Sequence, residues 1–95
     1  MKYYCYILSN RNRTVIYIGV TNDISRRLKE DKSGNGAYFT KRYNVFDLIY
    51  LEEYEEDNLA RAREKQLKNW HKEWKWNLVK KSNPKLETLI VQKRP

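Results

Sequence analysis

Cysteine and histidine each occur once in this chain, which excludes an internal disulfide and disfavours a zinc site built from thiolates and imidazoles. Cys5 lies inside an apolar run, so we expect a buried structural thiol and not a nucleophile. His71 has no cysteine or second histidine near it and is expected on a helix surface. Long apolar runs are also missing, and Met1–Tyr3 do not lead into a signal-peptide core. We therefore expect a cytoplasmic protein that has no membrane partner.

Charge of one sign is missing from some segments and concentrated in others, within a formal net charge of +8. Residues 1–30 carry six basic and two acidic side chains, and residues 61–81 carry eight basic and two acidic ones. Between them, residues 45–60 carry six acids and no base. Basic segments on both sides of an acidic one favour a polyanionic partner, most often nucleic acid. Charge alone also leaves open an adaptor for an acidic protein.

Three runs rich in β-branched and aromatic residues predict strands. The first two, YYCYILSN and TVIYIGV, flank a polar turn and predict an antiparallel hairpin. Symmetry about the middle of that turn places Tyr6 opposite Tyr17 and Tyr4 opposite Gly19, with opposed side chains on one face of the sheet. The third run, VFDLIYLEEY, is apolar at nearly every position until Glu52, which is typical of a central strand covered on both faces.

Helical segments are predicted between and after these strands. A cap at Asn22 or Asp23 begins a helix that runs to about Asp31, and its periodicity turns Arg27 toward the sheet. The segment KSGNGAYFTKRYN predicts a loop with a short helical turn before Asn44. These elements give the order β-β-α-(α)-β-α-α once the C-terminal helices are added.

A long basic segment predicts helix from a cap near Asp57 to Asn83-Pro84, with a break or bend near His71. The chain's first two tryptophans are expected in the core and Trp76 partly exposed. One broad face of this segment is expected to pack on the sheet: Leu59, Ala62, Gln66, Leu67, Trp70 and Trp74. The predicted fold is a small α/β (α+β) domain over residues 1–90, in which helices flank a three-stranded antiparallel or mixed sheet, followed by a loose tail at 91–95.

The tripeptides Tyr4–Tyr6 and Tyr17–Gly19 lie on neighbouring predicted strands. This layout resembles the GIY-YIG nuclease family, which is named for two such tripeptides. The second tripeptide is intact, whereas the first keeps its tyrosine but not its glycine. The resemblance covers most of the chain and extends to Arg27, Glu64 and three further stretches: FTKRYN, AREKQLKNW and Asn83-Pro84.

The resemblance implies an endonuclease that hydrolyses nucleic-acid phosphodiester bonds, DNA more than RNA, with one Mg²⁺ ion. Tyr6 and Tyr17 would orient or deprotonate the attacking water, and Arg27 would bind phosphate oxygens and supply positive charge. Glu64 would be the sole carboxylate on the metal, because Mg²⁺ keeps most of its waters and takes phosphate oxygens as ligands. Four further residues would support the site: Gly19, Asp31, Lys41 and Asn83.

A second interpretation, a nucleic-acid-binding module without turnover on the same scaffold, stays open, as does the oligomeric state. Asp31 stands where the family often has a histidine, and an acid cannot play a cationic part at neutral pH. Taken alone, Tyr6 and Tyr17 are explained by cross-strand packing. Glu64 is likewise explained by an i,i+4 ion pair with Lys68 on a solvated helix face.

Overall fold

The computed structural model describes residues 1–32 and 38–91. Within them the chain forms a three-stranded antiparallel sheet and four helices. The elements are β1 (Tyr3–Ser9), β2 (Ile16–Thr21), α1 (Ile24–Lys32), α2 (Tyr38–Tyr43), β3 (Asp47–Tyr54), α3 (Asp57–Lys68) and α4 (Lys72–Ser82). The predicted α+β fold and its element order, including the short second helix and the break near His71, are confirmed.

The sheet has the order β2-β1-β3, so the prediction that the third strand is central is wrong. Strand β1 is central, and residues 5–9 of it are fully buried. The apolar pattern of β3 has another cause, because the C-terminal segment covers its outer edge. There the backbone amide of Leu89 donates to the carbonyl of Leu48 at 2.7 Å, and the Asn83 side-chain amide donates to the carbonyl of Ile49 at 3.1 Å. A covered edge strand can be as apolar as a central one.

The hairpin register differs by two residues from the symmetric prediction, which is therefore wrong. Tyr6 pairs with Gly19 and not with Tyr17, and Tyr4 moves away from Gly19. The cause lies in the loop, where the Asn10 side-chain carbonyl accepts hydrogen bonds from two backbone amides four and five residues later, at 2.8 and 2.9 Å. Because the shift is an even number of residues, Tyr6 and Tyr17 still share one face of the sheet.

Two hydrophobic clusters lie on opposite faces of the sheet. The cluster under α3 and α4 consists of Cys5, Ile7, Ile18, Ile49, Leu67 and Val79. The cluster on the other face, which includes the first residue of α1, consists of Tyr6, Leu8, Ile24, Val45 and Leu48. Consecutive residues of β1 therefore alternate between the two clusters, as the pleat of a strand requires.

Helix α3 packs through a different face from the predicted one. Its fully buried residues are Ala60 and Leu67, and the side chains of Arg63 and Glu64 between them are partly buried. Leu59 is 47% exposed, so the predicted apolar face is wrong. The helix is rotated because Arg63 reaches across to an acidic residue of the sheet, as described below. The rotation turns Glu64 toward the sheet.

The chain breaks between α3 and α4 at residues 69–71, and the break changes which tryptophans are buried. Trp70 and Trp76 pack against the cluster under the two helices, as expected for Trp70. Trp74 is 54% exposed, so its predicted core position is wrong, because helical periodicity is not carried across a break. His71 is exposed, as expected, with its ring 5.0 Å from that of Trp74.

No helix of the described residues is both long enough and apolar enough to cross a membrane. Of the predicted loose tail, Val91 is partly buried against the cluster that contains Tyr6. Residues 92–95 lie outside the described residues.

Candidate active site

The two tyrosines of the predicted site lie on the face of the sheet opposite α3, with ring centroids 6.4 Å apart and planes tilted by 42°. Tyr17 is partly buried, whereas Tyr6 is only 1% exposed. Gly19 pairs directly with Tyr6, and the phenol of Tyr6 occupies the space that a Cβ atom at position 19 would fill. The missing side chain of Gly19 therefore makes room for the Tyr6 ring.

Arg27 lies on α1 and is partly buried. It lines a cavity of about 350 Å³ at the end of β2, together with Val20 and Thr21 of the strand. Arg26 of α1 and Arg61 of α3 line the same cavity. Two acids, Glu30 and Asp57, also contribute to its wall, so the lining is mixed in charge with a basic excess. A phosphate group is small enough to enter a space of this size.

Glu64 lies on the sheet-facing side of α3, and its side chain is 23% exposed. Its carboxylate is 3.3 Å from the ammonium group of Lys68, one helical turn away. Burial raises the pKa of the Cys5 thiol to about 12, and the carboxylates of Glu52 and Glu64 add to the rise. Glu64 shares one face of α3 with the fully buried Ala60 and Leu67, four residues before it and three after it, so this face is the one turned toward the sheet.

A second cavity, of about 280 Å³, lies farther back along β2. It is lined by Ile16, Tyr17 and Ile18 of the strand, Phe39 of α2, Lys68 of α3 and Lys75 of α4. Strand β2 thus passes from this cavity to the one at Arg27, with Gly19 between them. Helix α3 makes the same passage from Lys68 to Arg61, with Glu64 between them. Gly19 and Glu64 are each the midpoint of an element that joins the two cavities.

The three remaining predicted site residues lie elsewhere or cannot be described. Asn83 is 8% exposed, and its side-chain amide donates to the carbonyls of Ile49 and Glu87 at 3.1 and 2.8 Å. These bonds hold the C-terminal segment against β3. Lys41 is exposed on α2. The side chain of Asp31 lies outside the described residues.

The sequence reasoning missed a polar network beside the site, centred on Glu52 of β3. Its carboxylate accepts two hydrogen bonds from the Arg63 guanidinium, at 2.9 and 3.1 Å. It also accepts from the hydroxyls of Tyr50 and Tyr54, the latter at 2.7 Å. Both side chains of the ion pair are largely buried, at 17% and 21% exposure. The signal was present in YLEEY, because residues two apart on a strand share a face.

Burial and hydrogen bonding act in opposite directions on this network. Burial alone would raise the pKa of Glu52, but hydrogen bonds from Arg63, Tyr50 and Tyr54 lower it below its ordinary value. Burial, followed by the hydrogen bond to Glu52, raises the pKa of Tyr54 to about 12. Arg63 also stacks over the ring of Trp70 at 5.2 Å, which fixes the guanidinium from its other side. The network therefore fixes the rotation of α3, including that of Glu64.

The donor groups fit a weakly held magnesium ion and not a closed metal centre. Among the side chains that the structure describes, no three acids, cysteines or histidines lie close enough together to bind a metal. Glu64 offers one partly exposed carboxylate. Mg²⁺ commonly binds through one or two carboxylates, several waters and the phosphate oxygens of a substrate. A site of this composition would be completed by the substrate.

Comparison with known proteins places this fold in a nuclease class. Residues 2–77 match the family model of the GIY-YIG catalytic domain, and the chain belongs to the GIY-YIG family. The domain is a nuclease-type fold that is typical of endonucleases, commonly with a divalent metal and a nucleic-acid substrate. The resemblance seen in the tripeptides is thereby confirmed.

Within this family the chain is similar to small proteins that share its length. It is 31% identical over 77 residues to a UPF0213 protein of Natronomonas pharaonis, covering 81% of this chain and 89% of the relative. It is 31% identical over 84 residues to a UPF0213 protein of Clostridium perfringens, covering 88% and 89%. The solution NMR structure of the UPF0213 protein BH0048 from Bacillus halodurans superimposes with a TM-score of 0.59 at 30% identity, covering 93% of each chain.

Proposed function

We propose that this protein is a metal-dependent endonuclease that hydrolyses phosphodiester bonds along the edge of β2. The observation that supports the proposal is that β2 and α3 both line the cavity at Arg27 and the cavity at Tyr17. Along these elements, Gly19 follows Ile18 and precedes Val20, and Glu64 lies between Arg61 and Lys68. A phosphate bound between the two cavities would meet a guanidinium, a phenol and a carboxylate. These are the groups that phosphoryl hydrolysis requires.

The phenols would act on the attacking water. Tyr17 is the more exposed of the two, so we assign it the contact with the water and the transient acceptance of its proton. The Tyr6 ring lies over Gly19, and its centroid is 6.4 Å from that of the Tyr17 ring. Tyr6 would hold the Tyr17 ring in place and take part in the same chain of hydrogen bonds. As the water oxygen bonds to phosphorus, the ester bond to the departing oxygen breaks. A phosphomonoester and an alcohol result.

Positive charge would come from Arg27, whose planar guanidinium can bind two phosphate oxygens at once. Glu64 would hold the metal, which when bound supplies charge stabilisation at the phosphate and the departing oxygen. Lys68, now paired with Glu64 at 3.3 Å, would release the carboxylate to the ion and turn to the nucleic-acid backbone. Lys41, Asp31 and Asn83 stay predicted supporting residues.

The substrate is proposed to be DNA more than RNA, acted on in the cytoplasm. The formal net charge of +8 supports a polyanionic substrate of either kind. Cleavage of a DNA oligonucleotide and of an RNA oligonucleotide of identical sequence is therefore compared in a separate assay. Cleavage of RNA alone would overturn this choice without affecting the class of reaction.

A binding module without turnover is the second candidate, and two observations favour it. Tyr6 is 1% exposed, and the Glu64 carboxylate is already paired with an ammonium group. Such a module would bind nucleic acid with a steep salt dependence and would not cleave it with any divalent ion.

Substitution of Glu64 separates the two candidates. Nicking of supercoiled plasmid would be followed with Mg²⁺ and with a chelator, and affinity for DNA would be measured without metal. Glu64→Gln should lower the nicking rate by about 100-fold or more, because several kcal/mol of charge stabilisation depend on the ion. Binding without metal should change little, because Glu64 is proposed to contact the ion and not the nucleic acid.

Glu73→Gln is the matched control, because it removes the same charge from an exposed position in the first turn of α4. It should leave both nicking and binding unchanged. Nicking that persists in Glu64→Gln, or that survives the chelator in the wild type, would contradict the proposed role of the metal. Binding without any nicking by the wild type would establish the second candidate.

A further inference from the structure

Three aromatic rings form a row beside the cavity at Tyr17. The rings of Tyr17 and Phe39 are stacked, with centroids 6.0 Å apart and planes within 27°. Tyr43 continues the row, 4.9 Å from Phe39. Phe39 is 38% exposed and Tyr43 is 50% exposed, although both are large apolar side chains. The row begins at strand β2 and follows helix α2 outward to solvent.

Two lysine side chains line the cavity beside this aromatic row. Lys68 and Lys75 line the cavity together with Ile16 and Ile18 of β2. The Lys75 ammonium donates to the backbone carbonyl of Lys68 at 3.5 Å, and the Lys68 ammonium is paired with Glu64. The lining of this cavity of about 280 Å³ thus combines aromatic, aliphatic and basic side chains. A nucleotide has the matching chemistry, with an apolar base face and a negative phosphate.

The position of this cavity links it to the proposed reaction. Lys68 and Tyr17 both line it, and Lys68 is paired with Glu64. A base stacked here would belong to a nucleotide next to the phosphate under attack. Both faces of a base in an intact duplex are covered by its neighbours, so only an unpaired base can stack on a protein ring.

We infer that the cavity of Tyr17, Phe39, Lys68 and Lys75 binds an unpaired nucleobase, which makes single-stranded or locally unpaired nucleic acid the substrate class. The inference rests on the proposed function for its placement beside the cleaved phosphate. The stacking itself requires no cleavage. Its test can therefore be read independently of turnover.

The test compares two oligonucleotides in a chelator, where no metal-dependent cleavage occurs. One is a short oligothymidylate, and the other is its abasic analogue with the same length and the same phosphates. Electrostatic attraction is equal for both, so any difference in affinity reports contact with the bases. We expect the thymidylate to bind about 5- to 150-fold more tightly, the range that one aromatic–base stack supplies.

Two substitutions assign that difference to the row. Phe39→Leu keeps an apolar side chain on α2 but removes the ring, and Tyr43→Ala removes the outer ring. Phe39→Leu should reduce the affinity ratio of the two oligonucleotides to within about two-fold of unity, while leaving the affinity for the abasic chain unchanged. Trp74→Ala is the control, because Trp74 is an exposed aromatic residue of α4 that packs instead against Trp70. It should preserve the full ratio.

Equal binding of the two oligonucleotides by the wild type would overturn the inference. An affinity ratio of the two oligonucleotides that is unchanged in Phe39→Leu and Tyr43→Ala would also overturn it. The same holds if Trp74→Ala abolishes the ratio instead. None of these results touches the proposed nuclease function, which the Glu64→Gln assay tests separately on plasmid DNA. If metal-dependent nicking is lost but the thymidylate still binds more tightly than the abasic chain, the result supports the stacking site independently of cleavage.

Discussion

Gly19→Ala tests the geometry on which the candidate site depends. A Cβ atom at this position would occupy the space of the Tyr6 hydroxyl and ring carbon, and it would lie 3.1 Å from a ring carbon of Tyr17. Tyr6 is 1% exposed, so its ring cannot swing aside without disturbing the surrounding core. Overpacking of this kind costs about 1–3 kcal/mol. Alanine also restricts the unfolded chain more than glycine does, which offsets about 0.4–1 kcal/mol of this cost.

The expected net loss in free energy of unfolding is therefore about 1–2 kcal/mol, measured by urea denaturation. In a chain of this size, each 1 kcal/mol lowers Tm by about 4–8 °C. A double-mutant cycle locates the cause. Tyr6→Leu should relieve the collision, so the cost of Gly19→Ala should fall by about 1 kcal/mol or more in that background.

Tyr4→Leu is the matched control for this cycle, because a hairpin symmetric about Arg11 and Asn12 would pair Tyr4 and not Tyr6 with Gly19. In the structure Tyr4 pairs with Thr21, so Tyr4→Leu and Gly19→Ala should be additive within about 0.5 kcal/mol. Coupling of Gly19 to Tyr4, or no coupling to Tyr6, would refute the observed register and with it the placement of the two phenols.

Further expectations concern the network at Glu52 and the buried thiol. Glu52→Ala should lower the free energy of unfolding by about 2–4 kcal/mol, because it leaves Arg63 and two tyrosine hydroxyls without their acceptor. The control is Glu53→Ala at the neighbouring exposed position, which should cost less than about 0.5 kcal/mol. The pKa of Glu52 is lower in the folded state than in the unfolded state, where it is about 4.3. The contribution of Glu52 to the free energy of unfolding is therefore fully present above that unfolded pKa and is lost as the pH falls through the folded pKa. Urea melts of the wild type should accordingly weaken below about pH 4 more steeply than those of Glu52→Ala, and parallel acid profiles would contradict this. The pKa of Tyr54 is raised to about 12, so its contribution to the free energy of unfolding should be complete below about pH 10 and should be lost toward pH 12. The ultraviolet absorbance of the tyrosinates measures this titration. Cys5, fully buried with a pKa raised to about 12, should react with a disulfide reagent only as fast as the protein opens, and rapid modification of the native protein would exclude the buried position.

Local patterns in the sequence predicted most of the fold correctly. The cap of α1 is one example, because the Asp23 carboxylate accepts a hydrogen bond from the backbone amide of Arg26 at 3.1 Å, three residues away. The break near His71 and the end of α4 before Pro84 are others. Each of these depends on residues only a few positions apart. Such interactions can be inferred from the order of side chains along the chain.

Two of the wrong predictions concern contacts between segments that are distant in sequence. The apolar pattern of β3 suggested a central strand, but its cover comes from Leu89 in the C-terminal segment. The predicted face of α3 ignored the ion pair between Glu52 and Arg63, which joins a strand to a helix. Patterns of apolar residues reveal that a surface is covered but do not identify what covers it.

The sequence by itself determined the element order and the approximate limits of the helices. The tertiary structure alone decided that Tyr6 lies over Gly19, that Glu64 is partly buried, and that the rings of Tyr17 and Phe39 are stacked. The physical reason is the range of the interactions. Helix caps and turns form between near neighbours, whereas the rotation of a helix and the cover of an edge strand are set by side chains that meet only when the whole chain has packed.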